Sequence, residues 1–314
     1  MTPASRLRPR LAGPKCRIGV FAPSGVVNPA ALANGVGTLE SLGHFVSVAP
    51  EVHRQWRYFA GTDSERLAGF HRMLADPGID LMIMARGGYG WSRLMPKIDW
   101  RAVRESGKVL MGYSDFTAFQ LGALRHANVV TFAGPGVASD FDWSTDSDPV
   151  AVDHAFMNDH CWPVLHGDAA GTGWIDCAHD YPAQALSGTL WGSNLSLLSH
   201  LVGTPHLPEV DGGILFIEEI DEAPYRVERM FLQLLQAGIL DRQIALVLGA
   251  FTGCDPATGR FPYSMEHVIE SLRAWLPYPV LTGLPFGHVA RKLTLPFGAE
   301  ATLQVDAGRF SLQY

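Results

Sequence analysis

Five apolar runs in the first 134 residues constrain this fold most. They are CRIGVFAPSG (16–25), HFVSVAP (44–50), DLMIMARGGYG (80–90), KVLMGY (108–113) and NVVTFAG (128–134). Each is apolar throughout rather than alternating, as expected for strands covered on both faces. Segments with helical character lie between them. Residues 29–42 read as one helix. In DSERLAGFHRMLADPGI (63–79), Asp63 reads as an N-cap and Glu65 falls in the first turn; Leu67, Phe70 and Leu74 take helical spacing before Pro77-Gly78 ends the segment. Strands that alternate with helices predict a doubly wound, mostly parallel sheet, whose ligands bind beyond the carboxyl ends of the strands.

The second half reads differently. Residues 181–205 open with Gly-punctuated strands and continue as an apolar helix. Residues 212–240 read as strand, turn and helix, and 244–254 as a further strand. Residues 291–314 alternate and carry hairpin-like turns. The chain therefore divides into a loose head (1–14), a Rossmann/flavodoxin-like domain (15–150), a linker weak in periodicity (151–180) and a β-rich α/β domain (181–314). At 314 residues, two domains are the expected number.

Composition narrows the function. A net charge of −7 argues against a nucleic-acid partner. No stretch approaches ~18 consecutive apolar residues, so no membrane association is expected. The N-terminus has basic residues but no apolar run after them, unlike a secretory signal. Cys16, Cys161, Cys177 and Cys254 are scattered, without zinc spacing, and read as free thiols in a reducing cytoplasm. The 12 histidines form no HExxH, so no metal or other cofactor is expected.

KVLMGYSDFTAFQLGALRHA (108–127) carries the first chemical signal. Ser114 stands where a buried strand turns into a helix. It can be an N-cap, a role for which Ser is favoured. It can also be a nucleophile, with the N–H of Asp115 as an anion donor one residue away. The stretch lacks the second glycine of G-x-S-x-G. ARGGYGWSRL (85–94) offers a second donor from Gly87 or Gly88, or simply a tight turn. His288, in GLPFGHVARKLTLPFG, is a candidate base. ILFIEEID ends an apolar strand on Glu218 and Glu219, either of which can orient that base or merely emerge into solvent.

In this order, RGGYG, GYSDFT, GTLWGSNLSLLSHLVGTP, FIEEIDEAPYRVERMFLQL and GLPFGH resemble the LD-carboxypeptidases, the muramoyltetrapeptide carboxypeptidase family of serine peptidases. The likeness runs from about Arg17 to near the C-terminus. It implies a Ser-His-Glu hydrolase with Ser114 as nucleophile, His288 as base and Glu218 as its orienter. The amides of Gly87 and Asp115 would form the oxyanion hole. It further implies a homodimer with the site between two domains. The substrate would be a muropeptide tetrapeptide, cut between the L-centre of its diamino acid and the terminal D-alanine. Arg86 is a candidate for the terminal carboxylate. Glu219 would be a structural acid, with Arg226 and Arg229 as candidate partners.

One departure stands out. Gly192-Ser193-Asn194-Leu195 replaces the Gly-Gly-Asn-Leu common in the family, which points to Ser193 and Asn194 as cleft residues that touch substrate. A branch of the same family cleaves peptide-nucleotide antibiotics of the microcin C type, but EAPYRVERM looks more like the cell-wall recycling branch. Two other classes compete. A nucleotide-dependent enzyme lacks its glycine fingerprint after the first strand, and a non-catalytic two-lobed ligand-binding protein lacks the export signal it would need.

Overall fold

A computed structural model describes residues 6–143, 148–168, 171–255 and 262–314. The strands in chain order are β1 (Arg17–Phe21), β2 (Phe45–Val48), β3 (Leu81–Met84), β4 (Val109–Gly112), β5 (Thr131–Ala133), β6 (Ile175–Asp176), β7 (Gln184–Asn194), β8 (Gly213–Ile220), β9 (Gln243–Thr252), β10 (Val280–Thr282), β11 (Leu295–Phe297), β12 (Glu300–Asp306) and β13 (Arg309–Gln313). They build two sheets. The first has the order β11-β5-β4-β3-β1-β2. Its five N-terminal strands are all parallel, and every residue of β3 and β4 is buried, as their unbroken apolar runs require. β1 lies between β2 and β3, so the winding direction reverses there, at the kind of switch point where such sheets bind ligands.

β11 was not foreseen in this sheet. It returns from the C-terminal half and pairs antiparallel with β5, Leu295 opposite Ala133. The second sheet has the order β10-β9-β8-β7-β12-β13-β6. Its β10-β9-β8-β7 half is parallel, and the remainder is antiparallel.

The helices follow the sequence signals, with instructive differences. After α1 (Pro29–Ser41) comes α2 (Asp63–Ala75), whose N-cap is Thr62 rather than Asp63. Thr62 and Glu65 form a reciprocal capping box, and Asp63 is left free to bind Arg93. α3 (Trp91–Leu94) and α4 (Trp100–Ser106) precede α5 (Phe116–Gly122), whose seven residues are all buried. α5 packs on β7 and on α8 (Leu195–His200), so the two halves meet directly behind the elbow.

Two boundaries need correction. The supposed linker contains a long helix, α7 (Asp148–His166), after the short α6 (Val137–Asp140). Met157, Cys161, Val164 and Leu165 form its buried stripe. Interspersed Asp, His and Trp residues masked that spacing in the sequence. Of the supposed loose head, residues 1–5 lie outside the described residues. The remainder is anchored: Leu7 bridges to Val129, Leu11 is buried, and Arg6 reaches Thr189 and Gly298 in the other half. No helix among the described residues is long and apolar enough to cross a membrane. The four cysteines are free and buried, and burial pushes the Cys16 and Cys161 thiols up to about 12, which keeps them protonated and unreactive.

Candidate active site

Ser114 stands two residues after the last residue of β4 and takes φ +59°, a left-handed conformation uncommon for a residue with a side chain. The turn is that sharp because α5 begins two residues later. Gly112 makes it possible: a Cβ there would lie 2.8 Å from Met84 Cγ and 2.9 Å from Phe116 Cγ. The second glycine of an ordinary elbow is replaced by Phe116, which is fully buried against Phe21, Trp91 and Phe119. Ser114 does not cap α5. The cap position belongs to Asp115, and neither side chain bonds the helix N–H groups. The Ser114 hydroxyl lies 3.0 Å from His288 Nε2. Of the two readings open in the sequence, the cap is therefore not realised: Ser114 sits on a strand-to-helix elbow with its hydroxyl toward His288.

His288 Nδ1 lies 2.8 Å from Glu218 Oε2, so the imidazole bridges Ser114 and Glu218. The loop that carries His288 is docked by an irregularity in β9. Between Ile217 and Glu219, β8 advances two residues while its β9 partners advance from Leu248 to Phe251. The extra residue frees the Ala250 N–H to donate to Phe286 O at 2.8 Å, and Thr252 Oγ1 donates to His288 O at 3.0 Å. Bulges beside active sites re-aim strands in this way. Gly287, at φ +131°, lets the loop pass close to the acid; a Cβ there would sit 3.2 Å from Glu218 Oε2.

Asn194 is placed differently from expectation. It is 3% exposed and does not line the cleft. Its Nδ2 donates to Glu218 Oε1 and to Glu219 Oε1, each at 3.0 Å. Its Oδ1 caps α8 through the Leu197 N–H, and its own N–H donates to Thr117 Oγ1 of α5. The amide is thus committed to the interior, where it fixes Glu218 from the side opposite His288. Ser193, the other residue of the departing pair, is fully buried too. Glu219 also differs: its carboxylate accepts from the Ser196 and Ile220 N–H groups rather than from an arginine, and Arg226 pairs with Glu222 instead. Burial raises the Glu219 pKa. Sequence reasoning missed the orienting role of Asn194. The available signal was an Asn directly before the apolar helix LSLLSH, an N-cap position that faces inward.

The glycine loop closes the other side. A Cβ on Gly87 would lie 2.9 Å from Ser114 Oγ and 3.7 Å from the Asp115 nitrogen, so only glycine fits against Ser114. The Asp115 N–H has no acceptor among the described residues. Gly87, Arg86, Asn28, Ser139, Ser114 and His288 line a cavity of 240 Å³ at the ends of β3 and β4. Arg86 is exposed, and its guanidinium donates to Val26 O at 3.2 Å.

Beneath this cavity the Asp115 carboxylate ties three strand ends together. Its Oδ2 accepts from Ser24 Oγ after β1, at 2.5 Å, and from Trp91 N beyond the glycine loop, at 3.0 Å. Asp115 is fully buried and its Oδ1 has no partner. Burial pushes its pKa up to about 6, although Ser24, Trp91 N and Arg66 oppose the shift. A carboxyl raised above its unfolded value near 3.8 contributes stability that is present below about pH 4 and lost as pH rises through about 6. Asp115→Asn keeps an acceptor oxygen and removes the charge. Its unfolding free energy is expected to match wild type near pH 4 and to exceed it by up to about 3 kcal/mol above pH 6, at 1.36 kcal/mol per pK unit. Denaturant titrations from pH 4 to 8 measure this; a difference that does not vary with pH would show that Asp115 is not the titrating group.

Comparison with known proteins places the whole chain in a family. Residues 18–134 match the LD-carboxypeptidase N-terminal domain, and residues 187–303 match the LD-carboxypeptidase C-terminal domain. The chain is 31% identical to the murein tetrapeptide carboxypeptidase of Pseudomonas aeruginosa, over 92% of this chain and 93% of that one. It is 27% identical to the microcin self-immunity protein MccF of Escherichia coli, over 81% and 80% of the two chains. The crystal structure of muramoyltetrapeptide carboxypeptidase from Oxalobacter formigenes superimposes with a TM-score of 0.84 at 38% identity, covering 95% of this chain and 98% of that one. With both domains matched in chain order and a relative of this likeness along nearly its whole length, the chain belongs to the LD-carboxypeptidase family.

Proposed function

We propose that the protein is a serine LD-carboxypeptidase. It releases the terminal D-alanine from muropeptide tetrapeptides recovered during peptidoglycan recycling, and works in the cytoplasm as a homodimer. The observation that carries the reading is the unbroken chain Ser114 Oγ–His288 Nε2, His288 Nδ1–Glu218 Oε2, at 3.0 and 2.8 Å. Ser114 Oγ attacks the carbonyl carbon of the diamino acid, and its proton passes to His288 Nε2. Glu218 holds the ring and stabilises the imidazolium. The tetrahedral oxyanion takes the Gly87 and Asp115 N–H groups. Collapse breaks the C–N bond, and the departing D-alanine amine takes the proton from His288. Water, deprotonated by the same imidazole, then cleaves the acyl-serine ester. Arg86, on the cavity rim, takes the terminal carboxylate. No step calls for a metal or other cofactor.

Incubation with a tetrapeptide stem tests the reading. Wild type is expected to release D-alanine and to leave a stem ending in L-alanine intact. Ser114→Ala is expected to keep its thermal midpoint and lose turnover; loss of a triad nucleophile costs on the order of 10⁶ in kcat in serine proteases. Retention of more than about a tenth of the rate would remove Ser114 from the chemistry. Equal rates on both stems would make the protein a general peptidase. A peptide-nucleotide conjugate belongs in the same assay because of the likeness to MccF. Preference for it over the stem would move the protein to that substrate class.

The two neighbouring glutamates give a sharper test. Only Glu218 reaches His288, while Glu219 holds the Ser196 and Ile220 amides. Glu218→Gln is expected to lower kcat by roughly 10²–10⁴. Glu219→Gln replaces one acceptor oxygen by a donor facing N–H groups. It is expected to cost less than about tenfold in kcat and to lower stability by about 1–3 kcal/mol. Paired measurements of kcat and thermal midpoint decide; the reverse ranking would displace Glu218 from the triad.

A further inference from the structure

The triad is split between two sheets. Ser114 stands at the end of β4 in the first sheet, whereas Glu218 belongs to β8 of the second and His288 to the loop after β10. Something must set the separation between serine and base. Four residues after His288, and three before the chain enters the first sheet as β11, the same loop carries Lys292. Its side chain is fully buried. Its Nζ lies 2.5 Å from Asp140 Oδ1, on α6, and 3.4 Å from the centre of the Tyr113 ring. Tyr113 immediately precedes Ser114, and its ring packs on the His288 imidazole with centroids 5.1 Å apart. Asp140 is held in turn, since its Oδ2 accepts from the Gly136 N–H at 2.9 Å and the Ser139 hydroxyl at 2.7 Å.

A buried ion pair is a poor device for stability alone, because desolvation cancels much of its attraction and an apolar pair of similar shape does as well. It does fix a distance and a direction. Here it joins the loop of the base to the domain of the nucleophile, with Tyr113 clamped between ammonium and imidazole. Burial opposes the charge on Lys292, but Asp140 and Tyr113 outweigh it and the pKa lies above the usual lysine value. The ammonium therefore persists across the working pH range.

We propose that Lys292, paired with Asp140, is a positioning residue that locks the His288 loop onto the nucleophile domain and thereby sets the Ser114–His288 contact. This rests on the proposed serine chemistry. Neither side chain bonds to Ser114 or to the His288 ring, and Lys292 is fully buried; the pair acts through the His288 loop and Tyr113.

The test uses the full-length protein and three variants. Lys292→Met leaves Asp140 buried and unpaired, so it is expected to lose both stability and rate. The double variant Lys292→Met, Asp140→Asn removes both charges and is expected to regain most of the thermal midpoint. Its kcat is expected to stay about 10²-fold low, the cost of a displacement of roughly 1 Å at a reacting centre, with KM changed less than about threefold. The rate at which a phosphonofluoridate labels Ser114 is expected to fall in parallel, because that reaction reads the serine–imidazole contact without substrate. A double variant of restored stability with wild-type kcat and labelling rate would overturn the proposal. Should the double variant fail to fold, Asp140→Asn alone carries the same expectation at roughly tenfold, since one hydrogen bond to Lys292 survives; wild-type kcat in that variant would equally overturn it. Failure of the serine reading shows elsewhere: Ser114→Ala would then still release D-alanine, whatever Lys292 does.

Discussion

The contact from Ser114 Oγ to His288 Nε2, at 3.0 Å, spans two sheets that share one continuous apolar core, and the surrounding architecture serves to hold it. From the serine side it needs a left-handed residue at the end of β4, a glycine at 112 behind it and a glycine at 87 in front. From the histidine side it needs an extra residue in β9, whose freed N–H fastens the loop, and a glycine at 287 so that the loop clears Glu218. None of these features is favourable locally. A positive φ on serine and a broken ladder each cost free energy, which the buried strands on either side supply.

The same centre gathers four buried or nearly buried carboxylates: Asp115, Asp140, Glu218 and Glu219. Buried charge is tolerated only when hydrogen-bonded or paired. Each acid meets that requirement differently. Glu218 has Asn194 and His288; Glu219 has Asn194 and two backbone amides; Asp140 has Lys292 and the start of α6; Asp115 has Ser24 and the Trp91 amide. The partners come from different elements, so satisfying the acids also fixes the elements relative to one another. Asn194 shows this most plainly, since one side chain caps α8 and holds two glutamates while its backbone reaches α5.

Which parts were legible in the sequence follows from the range of the forces involved. The parallel strands were readable because burial on both faces leaves an unbroken apolar run, as in LMIM and VLMG. The elbow was visible as a location but not as a conformation: Ser114 in a strand-to-helix joint fits a cap as well as a nucleophile, and only its φ and its partner separate the two. Strand periodicity sends neighbouring side chains to opposite faces, so only one of Glu218 and Glu219 should meet His288, and Glu218 is the one that does; that Asn194 reaches both carboxylates had no local signal. The extra residue of β9 has no signature of its own in IALVLGAFTGC beyond Gly249, one glycine among many. Long-range contacts left least trace. Arg6 on Thr189 and Gly298, β11 beside β5, and Lys292 on Asp140 pair residues more than 150 positions apart, and no local pattern encodes such partners.

The placement of the cavity follows from the winding of the first sheet. The reversal between β1 and β3 opens a crevice at their carboxyl ends. Ser24 and Asn28 follow β1, and Arg86 and Gly87 follow β3, so the crevice is walled by backbone amides and one guanidinium, groups suited to carboxylate and oxyanion. Ser114 enters the same cavity from one strand further on, after β4, which is the side the second sheet can reach. From that position Ser114 lies against Gly87 of the glycine loop on one side and 3.0 Å from His288 Nε2 on the other. The Asp115 carboxylate fixes this juxtaposition: from the residue next to Ser114, it holds the chain after β1 and the far side of the glycine loop in one interior bond set.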